Sequence, residues 1–182
     1  TYQWLQEMAV ELNAAVAGSV AIHDAGAVFN RLLFATPDSV YHYDKRHLFR
    51  MAGEHKRYAA GDKRVIVEWR QWRIKLEVCY DLRFPVFSRN RQDYDLLLYV
   101  ANWPARRSLH WRALLPARAI ENLACVVGVN RVGADANGLD YSGDSLAISA
   151  SGETLLDMQN RQGIESATFV ASDLLHWRES FP

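Results

Sequence analysis

Apolar residues at Trp4, Leu5, Met8, Ala9, Leu12 and Ala15 recur at helical spacing, so Thr1 to Ala15 reads as an amphipathic helix laid on an apolar surface. The period then shortens. Val16 to His23 and Val28 to Ala35 are short apolar runs separated by the turn signal Asp24-Ala25-Gly26, and they read as paired strands. Pro37-Asp38 turns the chain into a third strand, Val40 to Tyr43, after which a charged loop runs from Asp44 to Lys63. Arg64 to Trp69 and Trp72 to Val78 form a hairpin about Arg70-Gln71, and Tyr94 to Ala101 is apolar enough for a strand covered on both faces.

A short helical segment is expected near Phe87 to Arg91 and a longer one over Trp111 to Ala124, where Pro116 predicts a kink or a break. Val126 to Val132, Asp144 to Ala150 and Ile164 to Ala171 complete the strands, with turns at Ala136-Asn137-Gly138 and Ser151-Gly152. Strands and helices alternate without repeats or linkers. Residues 1–182 are therefore expected to form a single α/β domain with helices covering sheet faces.

Composition narrows the partners. The 182 residues suffice for one sizeable core, and 21 basic residues balance 21 acidic ones, so bulk charge favours neither nucleic acid nor an anionic membrane. No apolar run has the length of a membrane span, which leaves a small molecule as the expected partner. Only Cys79 and Cys125 are present, too few for a disulfide framework, and a reducing, cytoplasmic setting is expected.

Cys79 ends an apolar run where charge, aromatic residues and proline take over. As a small hydrophobe it would fill core; at a strand end opening into a loop it would be a nucleophile. Cys125, in Leu123-Ala124-Cys125-Val126-Val127, has no polar company and reads as core. Lys45 stands where another strand ends, either as a solvated loop charge or as a cation beside the thiol and its oxyanion adduct. His47 and His110 near strand ends leave a cysteine-histidine hydrolase open, whereas the six histidines include no tight metal-ligand pair.

The ordered motifs YDKRHLF, GEHKRYAAGD, VCYDLRFP, VANWP, ARAIEN, NRVGADANG and YSGDS resemble the nitrilase superfamily of carbon-nitrogen hydrolases over essentially the whole chain, and most resemble its omega-amidase branch. The resemblance implies an alpha-beta-beta-alpha sandwich and a Glu-Lys-Cys triad without metal or organic cofactor. Carried over by motif, Cys79 is the nucleophile, Lys45 the family lysine and Glu54 an auxiliary glutamate near the substrate, while the Tyr80 N–H helps to hold the oxyanion. Arg83 and Glu121 are expected in buried ion pairs.

The family's general base sits in a Leu-Pro-Glu type motif upstream of the first helix. No such motif occurs here, and Glu7 and Glu11 lie inside that helix. The chain is therefore expected to be N-terminally truncated, lacking the first strands and helix of the fold, with the general base in the missing part. The implied substrate is a short 2-oxo dicarboxylic acid monoamide such as 2-oxoglutaramate, cleaved to the acid and ammonia through a cysteine thioester. Its far carboxylate calls for an arginine. Arg106, Arg107 and Arg131 follow strands, and Arg107 joins Tyr80 and Trp103 in the expected substrate-binding set. The alternatives are another aliphatic amide, or a noncatalytic acyl-binding or interaction fragment. A homodimer is expected.

Overall fold

The computed structural model describes residues 1–181. Helix α1 (Tyr2–Glu11) leads into β1 (Val16–Asp24), β2 (Ala27–Ala35) and β3 (Val40–Asp44), which form an antiparallel sheet in that order. After the charged loop come β4 (Ile66–Trp69), β5 (Trp72–Val78), the short helix α2 (Pro85–Ser88) and β6 (Leu96–Ala101). Helix α3 (Ser108–Asn122) precedes β7 (Cys125–Asn130), β8 (Val132–Ala134), β9 (Asp140–Ser142), β10 (Leu146–Ile148), β11 (Thr154–Asp157) and helix α4 (Ala171–Ser180). The second sheet has the order β11-β10-β7-β6-β5-β4, while β8 and β9 pair as a separate ribbon.

The hairpins close through left-handed turn residues. Ala25 and Gly26 have φ of 48° and 81°, and Arg70 and Gln71 have 48° and 68°, the primed-turn geometry whose twist matches paired strands. Three clusters then hold four layers together. Leu5 and Ala9 of α1 pack on Leu33 and Ala35 of β2; Leu32, Phe34 and Tyr43 meet Leu76, Val78 and Val100 between the sheets; Trp111, Leu115 and Ala119 of α3 cover Leu97, Tyr99 and Val126. This is the expected helix, sheet, sheet, helix sandwich. The parallel strands β5, β6 and β7 run in register, Val78 opposite Val100 and Ala101 opposite Asn130, so their carboxyl ends share one edge.

Several expected elements differ. The strand expected over Ile164 to Ala171 is irregular chain, with Ile164 and Val170 exposed and no ladder partner among the described residues, and α4 starts where it was to end. Leu174 anchors that helix, and Arg178 donates to the Leu123 and Tyr94 carbonyls and to Asp95. The expected strand Val126 to Val132 divides between β7 and β8, because Asn130 turns its side chain to the Trp103 backbone and the Gly143 carbonyl. Helix α3 passes through Pro116 unbroken: tertiary packing of Trp111 and Leu115 on one side and Arg118 and Ala119 on the other holds both halves. Among the described residues no helix is long and apolar enough to cross a membrane.

Candidate active site

Strand β5 ends at Val78, and the chain turns at once into a 3-10 helix, Cys79–Arg83. Cys79 itself has φ of 49°, a left-handed conformation that a side chain with a Cβ enters only at a cost of order 1–3 kcal/mol. The sharp turn lifts the thiol off the sheet edge into a cleft of about 140 Å³, where Sγ lies 3.9 Å from the Asn102 carbonyl. Tyr80 is in the first turn of that helix, whose N–H groups have no intrahelical acceptor.

Lys45 follows β3 on the other sheet and is buried. Its ammonium donates to both Glu54 oxygens, at 2.9 and 2.7 Å, which leaves one of its three protons uncommitted. Glu54 also accepts from Asn30 Nδ2 at 3.1 Å and from the Phe49 N–H at 2.5 Å, so the carboxylate is fixed from three directions. Gly61 presses on the same strand end: its N–H donates to the Lys45 carbonyl, and a Cβ there would come within 2.1 Å of the Asp44 carbonyl oxygen. Burial pushes the Cys79 thiol up, the Lys45 ammonium opposes that rise, and Glu54 and Asp81 add to it. A thiol raised in this way would need a base before it could act as a nucleophile.

Among the described residues, the walls of the cleft carry three arginines, Arg83, Arg106 and Arg107, and no carboxylate. Arg107 stacks over Phe49 with 5.0 Å to the ring centroid, and its Nη1 is buried with no hydrogen-bond partner among the described residues. Trp103 is 3% exposed, held by its indole N–H to the Arg107 carbonyl at 2.8 Å. Tyr80 packs between Phe49 and Phe84. Arg131 is outside this wall, stacked on Tyr141.

Two expectations change here. Arg83 is in no ion pair among the described residues; it donates to His110 Nδ1 and lies over Trp103. Glu121 is exposed and pairs with the buried Arg118, which also donates to the Leu82 carbonyl. His47 lines a neighbouring pocket beyond Tyr80 and donates from Nδ1 to Asp81, while His110 is engaged by Arg83, so neither histidine lines the cysteine cleft. No local sequence pattern marks Asp81, since three of its four hydrogen bonds come from Tyr43 and His47, 38 and 34 residues away. Cys125 is buried at the start of β7. Among the described residues no three His, Cys, Asp or Glu side chains group as metal ligands.

Residues 1–179 match the carbon-nitrogen hydrolase family. The chain is 56% identical over 181 residues to the omega-amidase YafV of Escherichia coli, an alignment covering 98% of this chain and 71% of that protein. It is 33% identical to the 2-oxoglutaramate amidase of Bacillus subtilis, over 98% of this chain and 71% of the relative. A crystal structure from Xanthomonas campestris, of a carbon-nitrogen hydrolase superfamily protein with an arsenic adduct in its active site, superposes with a TM-score of 0.97 at 49% identity, covering all of this chain and 72% of that one. The sandwich fold, the family match over residues 1–179 and these relatives place the chain in the carbon-nitrogen hydrolase family, the nitrilase superfamily, on its omega-amidase branch.

Proposed function

We propose that this amide hydrolase cleaves the terminal amide of a short 2-oxo dicarboxylic acid monoamide, such as 2-oxoglutaramate, through a thioester on Cys79. The observation that carries the reading is the cleft beside Cys79, with three arginines and no carboxylate in its wall and a buried, unpartnered Arg107 Nη1. A substrate carboxylate supplies the missing acceptor, and the guanidinium fork suits it. The names of the two amidase relatives support the same substrate class.

In this reading Sγ attacks the amide carbon as its proton passes to the base, which the resemblance assigns to an upstream Leu-Pro-Glu glutamate. The oxyanion is held by the remaining Lys45 N–H and the Tyr80 N–H. Collapse breaks the C–N bond as the base returns its proton to the nitrogen, which leaves as ammonia, and water activated by the same base then attacks the thioester carbon, releasing the acid and restoring the Cys79 thiol. Glu54 holds the Lys45 ammonium in place through two hydrogen bonds; Trp103 and Tyr80 wall the substrate. A homodimer fits the exposed apolar side chains Ile120 and Leu175 on α3 and α4, and a cytoplasmic setting fits a nucleophile that must stay reduced.

The test is ammonia release from 2-oxoglutaramate by the intact protein. Cys79→Ala abolishes it and Cys125→Ala does not, while Lys45→Ala lowers turnover by about 100- to 1000-fold, the effect of losing one oxyanion donor. An active Cys79→Ala variant overturns the reading.

A further inference from the structure

Asp81 is fully buried, and its two carboxylate oxygens accept four hydrogen bonds. Oδ2 takes the Val78 N–H at 3.0 Å and the Tyr43 hydroxyl at 2.8 Å. Oδ1 takes the His47 N–H at 2.9 Å and His47 Nδ1 at 2.7 Å. The sequence positions of these donors are informative. Val78 immediately precedes Cys79, whereas Tyr43 and His47 stand two residues before and two residues after Lys45. Cys79 leaves the six-stranded sheet and Lys45 the three-stranded one, so one carboxylate bolts together the ends of two sheets.

We propose that Asp81 is a positioning residue that sets the separation and aim of Cys79 relative to Lys45. The proposal rests on the reading that these two residues carry the reaction. Three chemical points support it. An ionised carboxylate offers about four lone-pair sites, the number used here, whereas the amide of asparagine offers one acceptor oxygen and would point two N–H groups at donors. The Val78 bond pins the peptide just before a strained left-handed residue, where unrestrained backbone would relax. The clamp is also braced from outside: Tyr43 Oη accepts the Arg46 N–H at 3.1 Å, and the His47 ring stacks on Phe84 with centroids 3.7 Å apart.

The experiment compares wild type, Asp81→Asn, Tyr43→Phe and Cys79→Ala in the intact protein, reading kcat, KM, far-UV circular dichroism and the pH dependence of Cys79 alkylation by iodoacetamide. Misplacing reacting groups by about 1 Å costs up to about 100-fold in rate, so Asp81→Asn is expected to lose about 10- to 100-fold in kcat with KM within about threefold. The charged groups acting on the thiol are Lys45, Glu54 and Asp81, and removing the last moves the alkylation midpoint to lower pH, an effect that a purely architectural aspartate away from the thiol would not produce. Tyr43→Phe keeps the ring in place and removes one strut, so a smaller kcat loss at unchanged KM is expected; it decides the matter if Asp81→Asn does not fold. If Cys79→Ala is inactive while both clamp variants keep kcat within about twofold and the midpoint stays put, the positioning role is overturned. An active Cys79→Ala overturns the nucleophile assignment instead.

Discussion

Lys75 and Glu77 lie two apart on β5 and so share a face of the sheet; they form an ion pair with both side chains 0% exposed. Glu77 also accepts from Ser88 Oγ at 2.8 Å, Ser88 meets Tyr99 Oη at 3.0 Å, and the Lys75 ammonium sits 4.4 Å from the Phe87 ring centroid. Removing one member leaves the other charge buried without its counterion, which costs about 3–5 kcal/mol, so Lys75→Met and Glu77→Leu are each expected to destabilise by that amount. The double variant removes both desolvation penalties. What remains is one lost hydrogen bond to Ser88, about 1 kcal/mol, offset by apolar packing, so the double variant is expected near wild type or above it. Urea unfolding reads this directly: with a slope of about 2–3 kcal/mol/M, each single variant lowers the midpoint by roughly 1–2 M, and the double variant restores it. Single losses below about 1 kcal/mol, or losses that simply add, would refute the claim that the pair is held as two mutually dependent charges.

Three further outcomes are expected. Arg107→Ala should raise KM for a carboxylate-bearing amide by at least about tenfold, the effect of one charge-assisted hydrogen bond, while leaving a neutral amide of equal length unaffected; equal effects on both would remove Arg107 from carboxylate binding. Gly61→Ala, with its Cβ driven against the Asp44 carbonyl, should cost about 1–3 kcal/mol in thermal unfolding and reduce turnover by displacing Lys45; a silent variant would show that the strand end yields freely. Burial pushes the Asp95 carboxyl up, but hydrogen bonds from Arg73 and Arg178 outweigh it and bring it down to about 2. The lowered value means that its stabilisation, about 2 kcal/mol, is complete above the ordinary carboxylate value near 4 and is lost as pH falls through about 2; Asp95→Asn should flatten acid unfolding in that window, and an unchanged slope would count against the assignment.

What could be read along the chain was local. The short apolar runs Val16 to His23 and Val28 to Ala35, the breaks at Ala25-Gly26 and Arg70-Gln71, and the apolar run ending at Cys79 carry their own signals, since strand and turn chemistry act over a few residues. Ribbon β8-β9 has three residues per strand, too few for a period to show, although its turn residues did. Ile164 to Ala171 has strand-like composition but no strand neighbour among the described residues, and pairing partners are invisible in one segment. The site divides the same way. Cys79 and Lys45 are marked by strand ends, and Glu54 came only through family resemblance. Asp81 joins atoms 34 and 38 residues away as well as its own turn, so no local pattern announces it.

The placing of Lys45 and Cys79 on different sheets also bears on the order of folding. The antiparallel hairpin β1-β2 needs only neighbouring residues and can form early, whereas the parallel pairs β5-β6 and β6-β7 join segments separated by long connections, a slow class of contact. Neither sheet alone brings the lysine to the thiol. The two meet when Leu32, Phe34 and Tyr43 dock on Leu76, Val78 and Val100, and the Tyr43 and His47 bonds to Asp81 close in that same event. With Cys79 and Lys45 in the roles proposed above, a chain with both sheets formed but undocked would be rich in secondary structure and catalytically silent, and hydrolytic capacity would return on refolding as a late step.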